Sequence, residues 1–172
     1  MTEQMVIRDA EVGDGEALCN VISEWVRDPD TDEPRVGDIE DIIGAVEASA
    51  EGKSDRLYKV ATIGGKVVGM VGMKPPDGAM RELSRTEQPA ELVNMYVAGE
   101  SRGGGVGKAL VESLIGAANN AGHTELLVNS GPRYEKTAWG FYDKLFGKRL
   151  ATLLDYYGKG IHAPVWRMDL SK

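Results

Sequence analysis

The chain has 172 residues, a formal net charge of −7 and a single cysteine, and 42% of its residues are hydrophobic. This length favours one soluble domain with a full core, residues 1–172. The acidic balance argues against a nucleic acid or an anionic membrane surface as a partner. Cys19 has no internal disulfide partner, residues 1–4 lack the character of a signal peptide, and no run approaches the ~20 apolar residues of a membrane helix. We therefore expect a cytoplasmic enzyme or binding protein.

The first half of the chain predicts an edge strand, two helices and a hairpin. Asp14 and Asp38 each precede apolar residues at helical spacing, so we expect them to be the N-caps of two helices. Gly64-Gly65 separates two β-rich runs, which predicts a tight hairpin because a type I′ turn needs positive φ at both positions. The apolar faces of the two helices comprise Leu18, Val21, Ile22 and Trp25 in the first, and Ile39, Ile42, Ile43 and Val46 in the second.

The second half predicts a strand, a long helix and further strands around a second helix. Residues 74–90 hold three prolines and several charges, so we expect a loop there. Together the segments predict an α/β chain with a mixed sheet. The remaining predicted elements are a strand from about Leu92 to Val97, an amphipathic helix from Val106, a strand at 124–128, a helix at 133–146, and strands near 150–156 and 163–170.

The most informative segment is the glycine-rich turn 101–108, Ser-Arg-Gly-Gly-Gly-Val-Gly-Lys, between a predicted buried strand and an amphipathic helix. Glycines let the backbone approach a ligand closely, and the free N–H groups of the first helical turn point towards it. This arrangement is typical of a phosphate site. Arg102 and Lys108 add positive charge on either side, although the whole chain is acidic. The alternative is a glycine-rich connector that binds nothing.

The spacing of this turn excludes two common phosphate-binding motifs. A Walker A loop requires glycine at the position of Arg102 and serine or threonine at the position of Ala109. A dinucleotide fingerprint counted from Gly103 places Lys108 where the last glycine should stand. The pattern that remains is Arg-x-x-Gly-x-Gly.

That pattern, filled by Arg102, Gly105 and Gly107 directly after a strand, closely resembles the acetyl-CoA pyrophosphate loop of the GNAT superfamily of N-acetyltransferases. A bare Arg-x-x-Gly-x-Gly occurs often by chance, and its position between strand and helix makes it more specific. The cofactor-binding residues that the resemblance implies are Met95, Tyr96, Val97, Arg102, Gly103, Gly104, Gly105, Val106, Gly107 and Lys108.

A second segment, residues 135–147, resembles the family pattern Asn-x-x-Ala-x-x-Phe-Tyr. Ala138, Phe141 and Tyr142 match, whereas Glu135 stands in place of the asparagine, which commonly touches the pantetheine arm. Asn129, Ser130 or Arg133 are alternative sources of that contact. Glu135 also leaves room for a second hypothesis, a non-catalytic acyl-CoA-binding or sensing module.

The resemblance implies a GNAT-like fold, in which a mixed, mostly antiparallel sheet with central splayed parallel strands is flanked by about four helices. Acetyl-CoA would be the acyl-donor substrate and no metal would be needed. The acceptor would be a primary amine on a small molecule or peptide, which attacks the thioester directly. A homodimer is common among such proteins.

The resemblance also implies catalytic roles for Tyr142 and Glu91. Tyr142 would protonate the departing CoA thiolate, whereas helical spacing alone makes it a core aromatic. Glu91 would be the general base, with an ordinary strand-edge carboxylate as the alternative. Strand alternation places Glu91, Val93 and Met95 on one face unless a bulge intervenes. The backbone N–H groups of Met95 and Val97 would stabilise the oxyanion.

Overall fold

The computed structural model describes residues 3–171 of the chain. Residues 1, 2 and 172, which include part of the segment judged not to be a signal peptide and both ends of the predicted domain, lie outside the described residues. The chain divides into two compact units. The first contains the residues up to Lys74 together with Val93–Ala117, and the second contains Pro75–Leu92 and the residues from Ala118 onwards.

The strands form a mixed, mostly antiparallel arrangement, as predicted. The order is β1-β2-β3-β4 in the first unit and β4-β5-β7-β6 in the second, because β4 passes from one unit to the other. β4 and β5 are parallel, whereas β1·β2, β2·β3, β5·β7 and β6·β7 are antiparallel. The strands are β1 (Met5–Asp9), β2 (Leu57–Ile63), β3 (Lys66–Lys74), β4 (Pro89–Val97), β5 (Glu125–Asn129), β6 (Ala151–Leu153) and β7 (Ala163–Asp169).

Residues 3–171 contain five α-helices, rather than about four. The additional helix is the short α3, which lies within residues 74–90, so the prediction of a plain loop there is wrong. β4 also begins at Pro89, before the predicted start at Leu92. The helices are α1 (Asp14–Ser23), α2 (Val36–Ala50), α3 (Gly78–Glu82), α4 (Val106–Asn120) and α5 (Gly140–Phe146).

The two predicted N-caps are wrong, because each aspartate lies within its helix, and each also pairs with an arginine. Asp14 is the first residue of α1, and its carboxylate accepts hydrogen bonds from the Arg8 guanidinium at 2.8 and 2.9 Å. Asp38 lies inside the first turn of α2 and pairs with Arg35 at 3.0 Å. The N-terminus of α1 is satisfied from α2, because the Glu47 carboxylate accepts from the N–H groups of Gly13 and Gly15.

The core of the first unit lies between the two long N-terminal helices and strands β2 and β3. Its centre includes the completely buried Tyr58 ring, which lies against the backbone of β3 at Gly72. Burial of these side chains is the main favourable term in folding. The buried residues of this cluster are Leu18, Ile22, Ile39, Val46, Tyr58, Val60 and Met70.

The core of the second unit connects α3 to strands β5 and β7 through Met80, Leu127 and Val165. Beside it, the fully buried carboxylate of Glu125 accepts hydrogen bonds from the backbone N–H groups of Arg85 and Thr86, at 2.9 and 3.1 Å. Arg167 of β7 donates to the other carboxylate oxygen. Glu125 therefore fixes the segment that leads into β4.

Candidate active site

β4 is irregular at Asn94, which has a φ of 51° within an otherwise extended strand. A left-handed residue is costly for a non-glycine side chain, so the surroundings must hold it. Here the Tyr58 hydroxyl donates to Asn94 Oδ1 at 2.9 Å, and burial raises the pKa of the Tyr58 phenol and keeps it a donor. The prediction that Glu91 and Met95 share a face required a strand without a bulge, and the irregular residue Asn94 lies between them. Glu91 and Met95 lie on opposite sides of an irregularity, and simple alternation does not relate their faces.

The end of β4 is held by two consecutive residues that follow α1. The Trp25 indole N–H donates to the Val97 carbonyl at 2.9 Å, and the Glu24 carboxylate accepts from the Gly99 N–H at 2.7 Å. The Ala98 N–H donates to the Val68 carbonyl of β3 at 2.8 Å. These bonds fix the backbone at the point where the strand becomes the glycine turn.

The turn itself has the backbone that its glycines predict. Gly103 and Gly105 have φ values of 79° and 86°, in the left-handed region that favours glycine. α4 then begins at the buried Val106, and the Gly105 carbonyl accepts from the Ala109 N–H. The N–H groups of the first helical turn have no intrahelical partner, and this turn carries no acidic residue. It is therefore suited to an anion.

Arg102 lies over the ring of Trp25, with its guanidinium carbon 4.0 Å from the ring centroid. Two residues before Arg102, Glu100 pairs with Lys66 of β3 at 2.6 Å. Sequence reasoning placed Trp25 on the buried face of the first helix. The structure instead places it beyond Ser23, the last residue of α1, and against the turn.

Glu91 lies in the part of β4 that pairs with β5, opposite Leu127. It is 3% exposed, and its neighbours Ala90 and Leu92 are equally buried. Its role as a general base stays a prediction.

Tyr142 is buried at 6% exposure in α5 and packs within an aromatic cluster. Its ring centroid lies 5.2 Å from that of Trp166, 5.5 Å from Phe141 and 6.0 Å from Phe146. This packing supports the core-aromatic interpretation and leaves the acid role as a prediction. Beside the cluster, the Asp143 carboxylate accepts hydrogen bonds from the Arg149 guanidinium and the Trp166 indole N–H. These bonds, chiefly the one from Arg149, hold the pKa of Asp143 below its ordinary value.

The segment predicted as one helix over 133–146 has three different backbones. A 3₁₀ turn at Pro132–Tyr134 leads into a π-helical turn at Glu135–Trp139, and only then does α5 begin. π-helical turns are rare and frequently occur at functional sites. Glu135, which stands in place of the family's asparagine, is exposed at the start of this turn. Of its alternatives, Asn129 accepts a hydrogen bond from the Tyr157 hydroxyl at the end of β5.

The predicted site residues thus fall into two groups. Met95 to Lys108 belong to the first unit, where β4, the turn and α4 place them consecutively. Glu91 and Tyr142 belong to the second unit. Within residues 3–171, no group of three or more His, Cys, Asp or Glu side chains is placed to hold a metal ion. No helix in this part of the chain combines the length and apolar character needed to cross a membrane.

The fold and the glycine turn define a class of protein, the acetyltransferases of the GNAT fold. The sequence agrees, because residues 18–147 match the acetyltransferase (GNAT) family. The chain belongs to this family, which confirms the prediction made from the glycine turn and the Phe-Tyr helix.

Individual proteins with a similar sequence or fold are 16–27% identical to this chain. N-acetyltransferase 8 from Rattus norvegicus is 27% identical over 117 residues, which is 66% of this chain and 46% of that protein. The chain therefore matches about half the length of this relative. An N-acetyltransferase from Staphylococcus aureus Mu50 shares the fold with a TM-score of 0.72 at 19% identity, over 97% of this chain and 99% of that one. PaiA N-acetyltransferase from Thermoplasma acidophilum, solved with coenzyme A, has a TM-score of 0.69 at 16% identity, over 96% and 99% of the two chains.

Proposed function

We propose that the protein transfers the acetyl group of acetyl-CoA to a primary amine by direct attack on the thioester. The observation that carries this proposal is the glycine-rich turn at residues 102–108, fixed between the end of β4 and the first turn of α4. Membership of the acetyltransferase (GNAT) family supports the same reaction.

In the proposed mechanism, residues 102–108 bind the pyrophosphate of acetyl-CoA, and β4 from Met95 to Val97 lies along the pantetheine arm. The N–H groups of Met95 and Val97 donate to the thioester oxygen and stabilise the oxyanion that forms there. The amine nitrogen forms a bond to the carbonyl carbon, and the carbon–sulfur bond then breaks. The products are an N-acetylated amine and CoA.

Two proton transfers complete the proposed reaction. The attacking amine loses a proton to Glu91, directly or through a water molecule, and Tyr142 gives a proton to the departing thiolate. Phenols have an ordinary pKa near 10 and so carry their proton at neutral pH.

We propose an amine-bearing small molecule or a peptide as the acceptor. The test is a panel of polyamines, amino sugars and lysine-rich peptides with acetyl-CoA, monitored by release of free thiol and by mass spectrometry of the product. The control omits the amine and measures hydrolysis of the thioester. Thiol release that depends on one class of amine supports the proposal. CoA binding without turnover on any amine would favour the acyl-CoA-binding or sensing module instead.

A further inference from the structure

We propose that Trp25 is a positioning residue for the pyrophosphate turn, acting through both the Val97 carbonyl and the Arg102 guanidinium. This inference rests on the proposed function, because it concerns the turn assigned to acetyl-CoA. Trp25 lies outside both motifs that identify the family, and it contacts the turn only because the chain beyond α1 returns to the end of β4.

Trp25 makes two contacts around the start of the turn. One side chain bonds the last residue of β4 through its indole N–H, at 2.9 Å, and supports the arginine of the turn on its ring face, at 4.0 Å. Glu24, the preceding residue, bonds the Gly99 N–H at 2.7 Å. Two consecutive residues therefore fix the backbone on both sides of Ala98, which sets where the turn begins.

Contact with the Trp25 ring restricts the Arg102 side chain. A free arginine side chain loses considerable rotamer entropy when it orders on a ligand. Stacking on Trp25 orders the guanidinium before the ligand arrives. Because the guanidinium carbon lies over the ring, 4.0 Å from its centroid, the attraction between the cation and the ring limits the positions that the side chain samples.

Two carboxylates lie at the start of the turn, where a negative charge would repel a pyrophosphate, and each of them has a partner. Glu24 accepts from the Gly99 N–H, and Glu100 pairs with Lys66 at 2.6 Å. The pairing with Lys66 lowers the pKa of Glu100, so this carboxylate stays ionised and bound to its partner. Lys66 therefore offsets the charge of Glu100, and Arg102 adds positive charge at the turn.

The test compares two acetyl donors, acetyl-CoA and S-acetyl-pantetheine, which lacks the pyrophosphate and the nucleotide. The variants are Trp25→Ala, Trp25→Phe, Arg102→Met and the double variant of Trp25→Ala with Arg102→Met. We expect Trp25→Ala to raise the KM for acetyl-CoA about 3- to 10-fold with little change in kcat. With S-acetyl-pantetheine, we expect less than about a twofold loss in kcat/KM. Trp25→Phe retains a ring but loses the N–H donor, so its effect should be smaller.

The double variant tests whether Trp25 acts through Arg102, and a second tryptophan serves as a matched control. The loss in the double variant should be smaller than the product of the two single losses, because Trp25 acts partly through Arg102. Trp139 is a suitable control, since its indole N–H also donates to a backbone carbonyl, that of Gly131, and its ring lies beneath Arg149. Trp139→Phe should change the two donors by the same factor.

The outcomes distinguish failure of the positioning role of Trp25 from failure of the proposed function. Equal losses on both donors in the Trp25 variants, or an unchanged KM for acetyl-CoA, would overturn the positioning role while wild-type turnover keeps the proposed function. Absence of CoA binding to the wild-type protein by calorimetry would overturn the proposed function and this inference together. If Trp25→Ala does not fold, the same comparison with Trp25→Phe decides.

Discussion

The paired arginine and aspartate at the start of α1 make a quantitative prediction about stability. Asp14 has a side chain 9% exposed and accepts two hydrogen bonds from Arg8, at 2.8 and 2.9 Å, and one from the Glu11 N–H at 2.7 Å. Bonds to a charged group contribute about 1.5–3 kcal/mol each when buried. Arg8 is 29% exposed, so water replaces part of the lost interaction. We expect Asp14→Asn to reduce the free energy of unfolding by about 2 kcal/mol, which corresponds to roughly 4–8 °C in Tm.

The same residue predicts how this stability depends on pH. The Arg8 hydrogen bonds, with the Glu11 N–H in support, hold the pKa of Asp14 below its ordinary value of 3.8. A carboxyl group with a lowered folded pKa stabilises the protein fully above its unfolded pKa, and this contribution is lost as pH falls through the folded value. The gap in unfolding free energy between wild type and Asp14→Asn should therefore be largest near about pH 7 and narrow below about pH 4.

Urea denaturation of both proteins at about pH 7 and about pH 3.5 measures this gap. The matched control is Asp38→Asn, because Asp38 and Arg35 form an ion pair whose side chains are 48% and 55% exposed. Exposed pairs contribute less than about 1 kcal/mol, so this variant should be close to wild type. A loss for Asp14→Asn no larger than that for Asp38→Asn, or a gap that does not narrow in acid, would refute the reasoning.

Three further predictions concern the proposed reaction. Tyr142→Phe should lower kcat at least about tenfold with CoA affinity nearly unchanged, as measured by thiol release and calorimetry; an unchanged kcat would exclude the acid role. Gly105→Val should weaken CoA binding at least about fivefold, because a φ of 86° costs a branched side chain about 1–3 kcal/mol; wild-type affinity would remove the pyrophosphate assignment. Glu91→Gln should lower kcat at constant CoA affinity, and full activity across the pH profile would favour water as the base.

Local patterns in the chain were enough to predict most of the elements and the family. The hairpin at Gly64-Gly65 is correct, with φ values of 58° and 80°, because a tight turn depends only on its own residues. The strand, turn and helix around residues 92–120 are correct because hydrophobic period and glycine placement are equally local.

The features that could not be predicted depend on partners distant in sequence. The cap of α1 comes from Glu47, and the left-handed backbone of Asn94 is held by Tyr58. The contacts of Trp25 with Val97 and Arg102 join residues that are separated in sequence by α2, β2, β3 and α3. The apolar spacing over 133–146 predicts one continuous helix and does not reveal the π-helical turn at Glu135–Trp139.

The discontinuous make-up of both units has a consequence for the order in which the chain folds during synthesis. The first unit has all its residues once Ala117 has left the ribosome, whereas the second requires β5, β6 and β7. Pro75–Leu92 therefore emerges before its parallel partner strand β5 exists. The growing chain therefore has the glycine turn before it has Tyr142, and nascent protein stalled between the two would carry the proposed CoA-binding residues 102–108 without the proposed acid.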